Sequence, residues 1–178
     1  MVGIFKKIIF VLICMVTFAT SAAPKVNIST VDLQLIMEKA QVIKDINEQV
    51  EKLETDMRKQ YVTIEEKYNK DKEDLLKIKS TLSTDAYEKK LDDINQHFMK
   101  SQNDFQYQEN QINKARYTSF SKVQEQIMSI VSNIAKKENV SFVIPKGITL
   151  YSDSEITEDV LNQLNATMAK SELKIEDK

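Results

Sequence analysis

Between Glu38 and Glu138 the chain reads EKAQVIKDINEQVEKLETDMRKQYVTIEEKYNKDKEDLLKIKSTLSTDAYEKKLDDINQHFMKSQNDFQYQENQINKARYTSFSKVQEQIMSIVSNIAKKE, with no glycine and no proline. The whole chain holds two of each, and all four lie outside: Gly3 and Pro24 before it, Pro145 and Gly147 after it. A stretch this long without a breaker, rich in Lys, Glu, Gln, Asp and Asn, reads as long helix. The pattern weakens between Lys79 and Asp85, where Ser80, Ser83 and Thr84 offer turn and cap residues. The expectation is a helical hairpin over 38–138 that folds back near 80–85.

The apolar positions support two facing arms. Ile43, Ile46, Val50, Leu53, Met57, Tyr61, Ile64 and Tyr68 step by three and four, a period of 3.5 that marks a narrow coiled-coil seam. The return arm carries Tyr87, Leu91, Ile94, Phe98, Phe105, Ile112, Phe120, Val123, Ile127, Ile130 and Ile134. With the turn near Leu82 and Ser83, residues whose numbers sum to about 165 face one another. Tyr61 then lies near Phe105, Leu53 meets Ile112 and Ile43 meets Val123. Past Tyr68 both seams thin. The shorter arm of some 42 residues would reach roughly 60 Å at helical rise.

The flanks have a different texture. Lys25-Val26-Asn27-Ile28-Ser29 alternates and predicts a short strand, with Ser29, Thr30 or Asp32 capping the next helical turn. Val140-Ser141-Phe142-Val143-Ile144, then Pro145-Lys146-Gly147, then Ile148-Thr149-Leu150-Tyr151, predicts a β-hairpin. A last helix, with Thr157 as N-cap, places Val160, Leu161 and Leu164 on one side; Lys170–Lys178 reads as a frayed tail. These pieces are too small to bury a core alone, and three strands still leave an edge and an apolar face. Several copies sharing one β-rich body would cover both. The fold class is therefore mainly α: a long antiparallel helical arm projecting from a small β body built from residues 23–37 and 139–169. Val26, Ile28, Val140, Phe142, Ile144, Ile148, Leu150, Val160 and Leu164 are its candidate oligomerisation core.

The first 22 residues have the layout of a secretory signal peptide. Lys6 and Lys7 are followed by an apolar run from Ile8 to Phe18 and by small residues, with cleavage expected after Ala22. Ile13 before Cys14 is too bulky for a lipidation box. Removing Lys6 and Lys7 from the 25 basic residues leaves 23 against 27 acidic, a net charge of about −4. With Cys14 gone the chain needs no disulfide, and without a basic surplus nucleic acid is not an expected partner.

The chemistry of catalysis is missing. Two glycines cannot supply a phosphate-binding loop, and His97, the sole histidine, sits on a helix without a partner motif. Carboxylate pairs such as Glu65-Glu66 and Asp92-Asp93 lie on polar helix faces, as solvated ion-pairing groups do. No enzyme activity, cofactor or metal is expected. Met57, Tyr61, Tyr68, Phe98, Met99, Phe105 and Tyr107 exceed what one seam needs. Most read as seam core, whereas Met99 and Tyr107 fall off it. A soft apolar patch amid mixed charge suits weak binding of unfolded chains.

Two blocks carry a resemblance. Lys25-Val26-Asn27-Ile28 with Thr30-Val31-Asp32 is one. Val140 to Ile144, Leu150-Tyr151-Ser152-Asp153 and Glu155-Ile156-Thr157-Glu158-Asp159-Val160-Leu161 are the other. With the leader and the breaker-free middle, the chain resembles the Skp/OmpH family of periplasmic chaperones for outer-membrane proteins. The resemblance implies a periplasmic homotrimer whose three arms enclose unfolded outer-membrane β-barrel proteins and prevent their aggregation without ATP. The best-known members are strongly basic and this chain is mildly acidic. The lipid contact made through basic arm residues is therefore not carried over to Lys89 and Lys90, and a lipid partner stays open. The alternative is a structural coiled-coil spacer or adaptor of the cell envelope.

Overall fold

A computed structural model describes residues 26–175. The leader at 1–22, Cys14 within it, and residues 176–178 lie outside that range. The element order is β1 (Ile28–Val31), α1 (Leu33–Lys39), α2 (Gln41–Lys77), α3 (Thr84–Lys137), β2 (Phe142–Pro145) and α4 (Thr157–Thr167). Short 3₁₀ turns occupy Lys79–Thr81 and Lys146–Ile148.

The long helices are those the breaker-free stretch predicts, and they run back against each other. Tyr61 lies against Phe105 with ring centroids 4.7 Å apart, and Tyr68 against Phe98 at 4.2 Å. Both pairs fit the expected register. At the tip, Ser83 Oγ accepts a bond from the Ala86 amide (3.3 Å) and Asp85 lies in the first turn of α3, favourable to the helix dipole. At the other end α3 stops without glycine or proline. Asn139 takes φ 56°, and the Val140 amide bonds the Ala135 carbonyl at 2.8 Å. This is a helix-ending motif in which asparagine tolerates the left-handed turn.

The helix expected to run unbroken from Glu38 is divided at Ala40, which has extended backbone (ψ 133°) and is fully buried. No breaker marks the site. The first amide of α2, on Gln41, donates instead to Asn165 Oδ1 of α4 at 2.9 Å. The break is set by tertiary packing, with Ile36 before it and Val42 after it both buried.

The β body differs more. β1 runs from Ile28 to Val31, so Val26 precedes it and is 55% exposed. It pairs in parallel with β2, Ile28 opposite Phe142 and Val31 opposite Pro145. The second strand expected at Ile148–Tyr151 does not form. Lys146–Ile148 coils into a 3₁₀ turn held by the Thr149 amide on the Lys146 carbonyl (3.0 Å), so the chain never doubles back onto β2. The other edge of β1 is taken by Ser154–Ile156: Thr30 N–H donates to Ser154 O and Ile156 N–H to Thr30 O, each 2.9 Å. Thr157 is not the N-cap of α4. Its hydroxyl accepts the Asp32 amide (2.8 Å) and donates to Glu155 (2.8 Å), tying the two chain ends together.

The core fills the base, where Ile36, Val42, Ile46 and Val50 meet Val123, Ile127, Ile130, Ile134, Ile156, Val160 and Leu164. Val160 and Leu164, assigned from sequence to an interface between subunits, are 0% exposed within this one chain. α4 covers the base of its own arm, which is why they are consumed there. The tail expected to fray lies along α2 instead, with the Ser171 amide on Asp45 Oδ2 at 3.1 Å and Leu173 packed against the core.

Candidate functional site

The arm residues singled out in the sequence come together along the α2–α3 seam, with one exception. Met57 is buried; Tyr61, Tyr68, Phe98, Phe105 and Tyr107 are half-buried; Met99 is 61% exposed and stands apart. Tyr68 and Phe98 stack with their planes 16° apart. The Tyr68 hydroxyl donates to Asn95 Oδ1 (3.0 Å), and the Lys72 ammonium sits 5.0 Å from the Tyr68 ring. Each aromatic contact contributes on the order of 1 kcal/mol beyond its burial. The seam leaves space on either side. One groove of about 430 Å³ is lined by Leu53, Met57, Tyr107, Ile112 and the tail's Ile175. A second, of about 270 Å³, is lined by Ile64, Tyr68, Ile94 and Phe98.

At the base, five of the nine sequence-assigned body residues are exposed. Val26, Ile28, Phe142, Ile148 and Leu150 range from 44% to 106% exposure. Val140 and Ile144 are half-buried. Among the described residues β2 is paired along one edge alone, by β1. Sequence reasoning missed a further apolar surface, a groove of about 330 Å³ lined by Leu33, Met37, Tyr117, Phe120 and Met128. Tyr117 and Met128 lie off the seam spacing on α3, which was the available signal.

The Lys146–Glu155 ion pair of the body is exposed. Lys146 Nζ meets Glu155 at 2.9 and 3.0 Å. The hydrogen bond from Lys146, with that from Thr157, holds the Glu155 carboxyl below the usual carboxylate range, and Lys146 is raised in return. Near the tip, hydrogen bonds to Glu73 and then Asp74 raise Lys77. Among the described residues no three His, Cys, Asp or Glu side chains converge as a metal site needs, and no helix is long and apolar enough to cross a membrane. The surfaces on offer are apolar grooves, a strand edge and side chains bonded to backbone.

No curated protein matches the chain. A solved structure from Caulobacter crescentus, a candidate OmpH-like outer membrane chaperone, aligns with a TM-score of 0.78 at 13% identity, covering 91% of this chain and 98% of that one. At that identity the likeness is one of fold. The family model for OmpH-like outer membrane proteins matches residues 27–164, which run from the start of the sheet to the middle of α4. The chain belongs to the OmpH-like outer membrane protein family.

Proposed function

We propose that the protein is an ATP-independent holdase of the periplasm, a homotrimer whose arms surround unfolded outer-membrane β-barrel proteins and keep them from aggregating. The observation that carries this reading is the seam between Leu53 and Phe98. Its aromatic contacts are half-buried, and apolar grooves run beside them. Weak contacts of this kind, repeated on three arms around one client, combine through high effective concentration. A client held away from its neighbours cannot aggregate with them. The unpaired edge of β2 and the exposed Phe142, Ile148 and Leu150 are the surface through which copies would join. The protein should suppress light scattering by a urea-diluted β-barrel protein without nucleotide. No suppression at a threefold molar excess of subunits would overturn the reading.

A further inference from the structure

Asp45 and Gln49 sit one helical turn apart on α2 and read the backbone of residues 171–173. Gln49 Nε2 donates to the Ser171 carbonyl (2.7 Å) while its Oε1 accepts the Leu173 amide (3.3 Å). Asp45 Oδ2 accepts the Ser171 amide (3.1 Å) and also the Gln49 side-chain amide (2.8 Å), which fixes the glutamine in its two-way orientation. The groups bound are N–H and C=O of one residue and N–H of the residue two further on. In an extended chain these lie on a single edge, as they do in a strand joining a sheet. The helix thus presents, through two side chains, the bonding pattern of a strand edge.

The side chains of the bound segment follow the same alternation. Leu173 packs on the core and Ile175, though 39% exposed, lines the 430 Å³ groove; Glu172 and Lys174 are exposed and touch neither. The hydrogen bonds to Asp45 and Gln49 are made by the tail's backbone, and Leu173 and Ile175 add apolar contact. Nothing in the clamp selects the identity of the residues it holds.

We infer that Asp45 and Gln49 form a binding site for extended polypeptide backbone, filled by this chain's own residues 170–175 until an unfolded segment with alternating apolar residues displaces them. The identity of that ligand rests on the holdase reading. Transmembrane β-strands carry apolar side chains at alternate positions, the pattern that Leu173 and Ile175 present here. Tethering through the end of α4 gives the tail a high effective concentration. Weak contacts therefore suffice to hold it, and a client that binds several surfaces at once can displace it.

Two substitutions release the tail by opposite means. Leu173→Asp expels the tail and leaves the clamp intact; Gln49→Leu destroys the clamp. Amide exchange of the full-length protein should show the amides at positions 171 and 173 slowed in the parent chain, and fast in both variants. Adding a urea-unfolded β-barrel protein to the parent should speed exchange there as well. Affinity for that client should rise about threefold in Leu173→Asp and fall about threefold in Gln49→Leu. A synthetic peptide of residues 170–175 should compete with the client for Leu173→Asp and for the parent chain, which keeps the test open should a variant misfold. The inference is overturned if both variants shift affinity in the same direction, if the client leaves tail exchange unchanged, or if the peptide does not compete. Suppression of aggregation by the parent chain is read separately, so the holdase reading can stand while the clamp falls.

Discussion

Asn165 shows how much one side chain decides. Its Oδ1 takes the first amide of α2, at the place where Ala40 interrupts the helix. Asn165→Ala should cost about 1 kcal/mol in denaturant unfolding, as the loss of a helix cap does, while Asn165→Asp should retain most of it. Glu155 is the residue with a pH signature. Its folded pKa is depressed, so its contribution is present above the unfolded value and is lost as pH falls through the folded one. Because both partners are exposed, the effect is local and salt-sensitive. The Glu155 carboxyl, followed by NMR, should titrate below an ordinary glutamate, and Lys146→Met should move it back up. Neither residue announces its role in the sequence. An Asn inside a short helix and a Glu in a loop acquire partners 124 and 9 positions away through the fold alone.

At the scale of elements, the two long helices were legible because their evidence is repeated many times. The absence of breakers over a hundred residues and the three-four stepping from Ile43 to Tyr68 set both type and register, and the Tyr61–Phe105 contact follows. The short elements were not, because a few alternating residues do not distinguish a strand from an extended loop. Ile148–Tyr151 alternates like a strand but pairs with no strand among the described residues, and the tail's backbone bonds to α2 side chains that carry no sequence signature. The same reasoning places the arm's weak point. Between Met57 and the buried Leu75 the α2 side of the seam rests on the half-buried Tyr61, Ile64 and Tyr68, so Tyr68→Ala should raise amide exchange about tenfold in residues 64–102 and leave the base unchanged. Equal acceleration in both regions would show the arm to be one cooperative unit.

For the whole molecule, the base is closed by its own core, while the β2 edge and its neighbouring apolar residues remain uncovered. If copies join through this surface as proposed, Phe142→Asp should yield monomers in sedimentation analysis while helix content is largely kept, because Phe142 is 61% exposed in the single chain. An elongated rod of other stoichiometry would favour the spacer alternative. The parallel pairing of β1 with β2 also has a kinetic consequence. Those strands are separated by roughly 110 residues, and closing a loop that long before anything else forms is entropically unfavourable. The Ser83–Ala86 cap at the tip is a local contact, so the arm is expected to close from its far end and to deliver β1 to β2 last. Ser83→Ala should slow refolding, whereas Val143→Ala should chiefly speed unfolding. A chain emerging from synthesis would then complete its open strand edge only after the arm is built, which would keep that edge from meeting the wrong neighbour early.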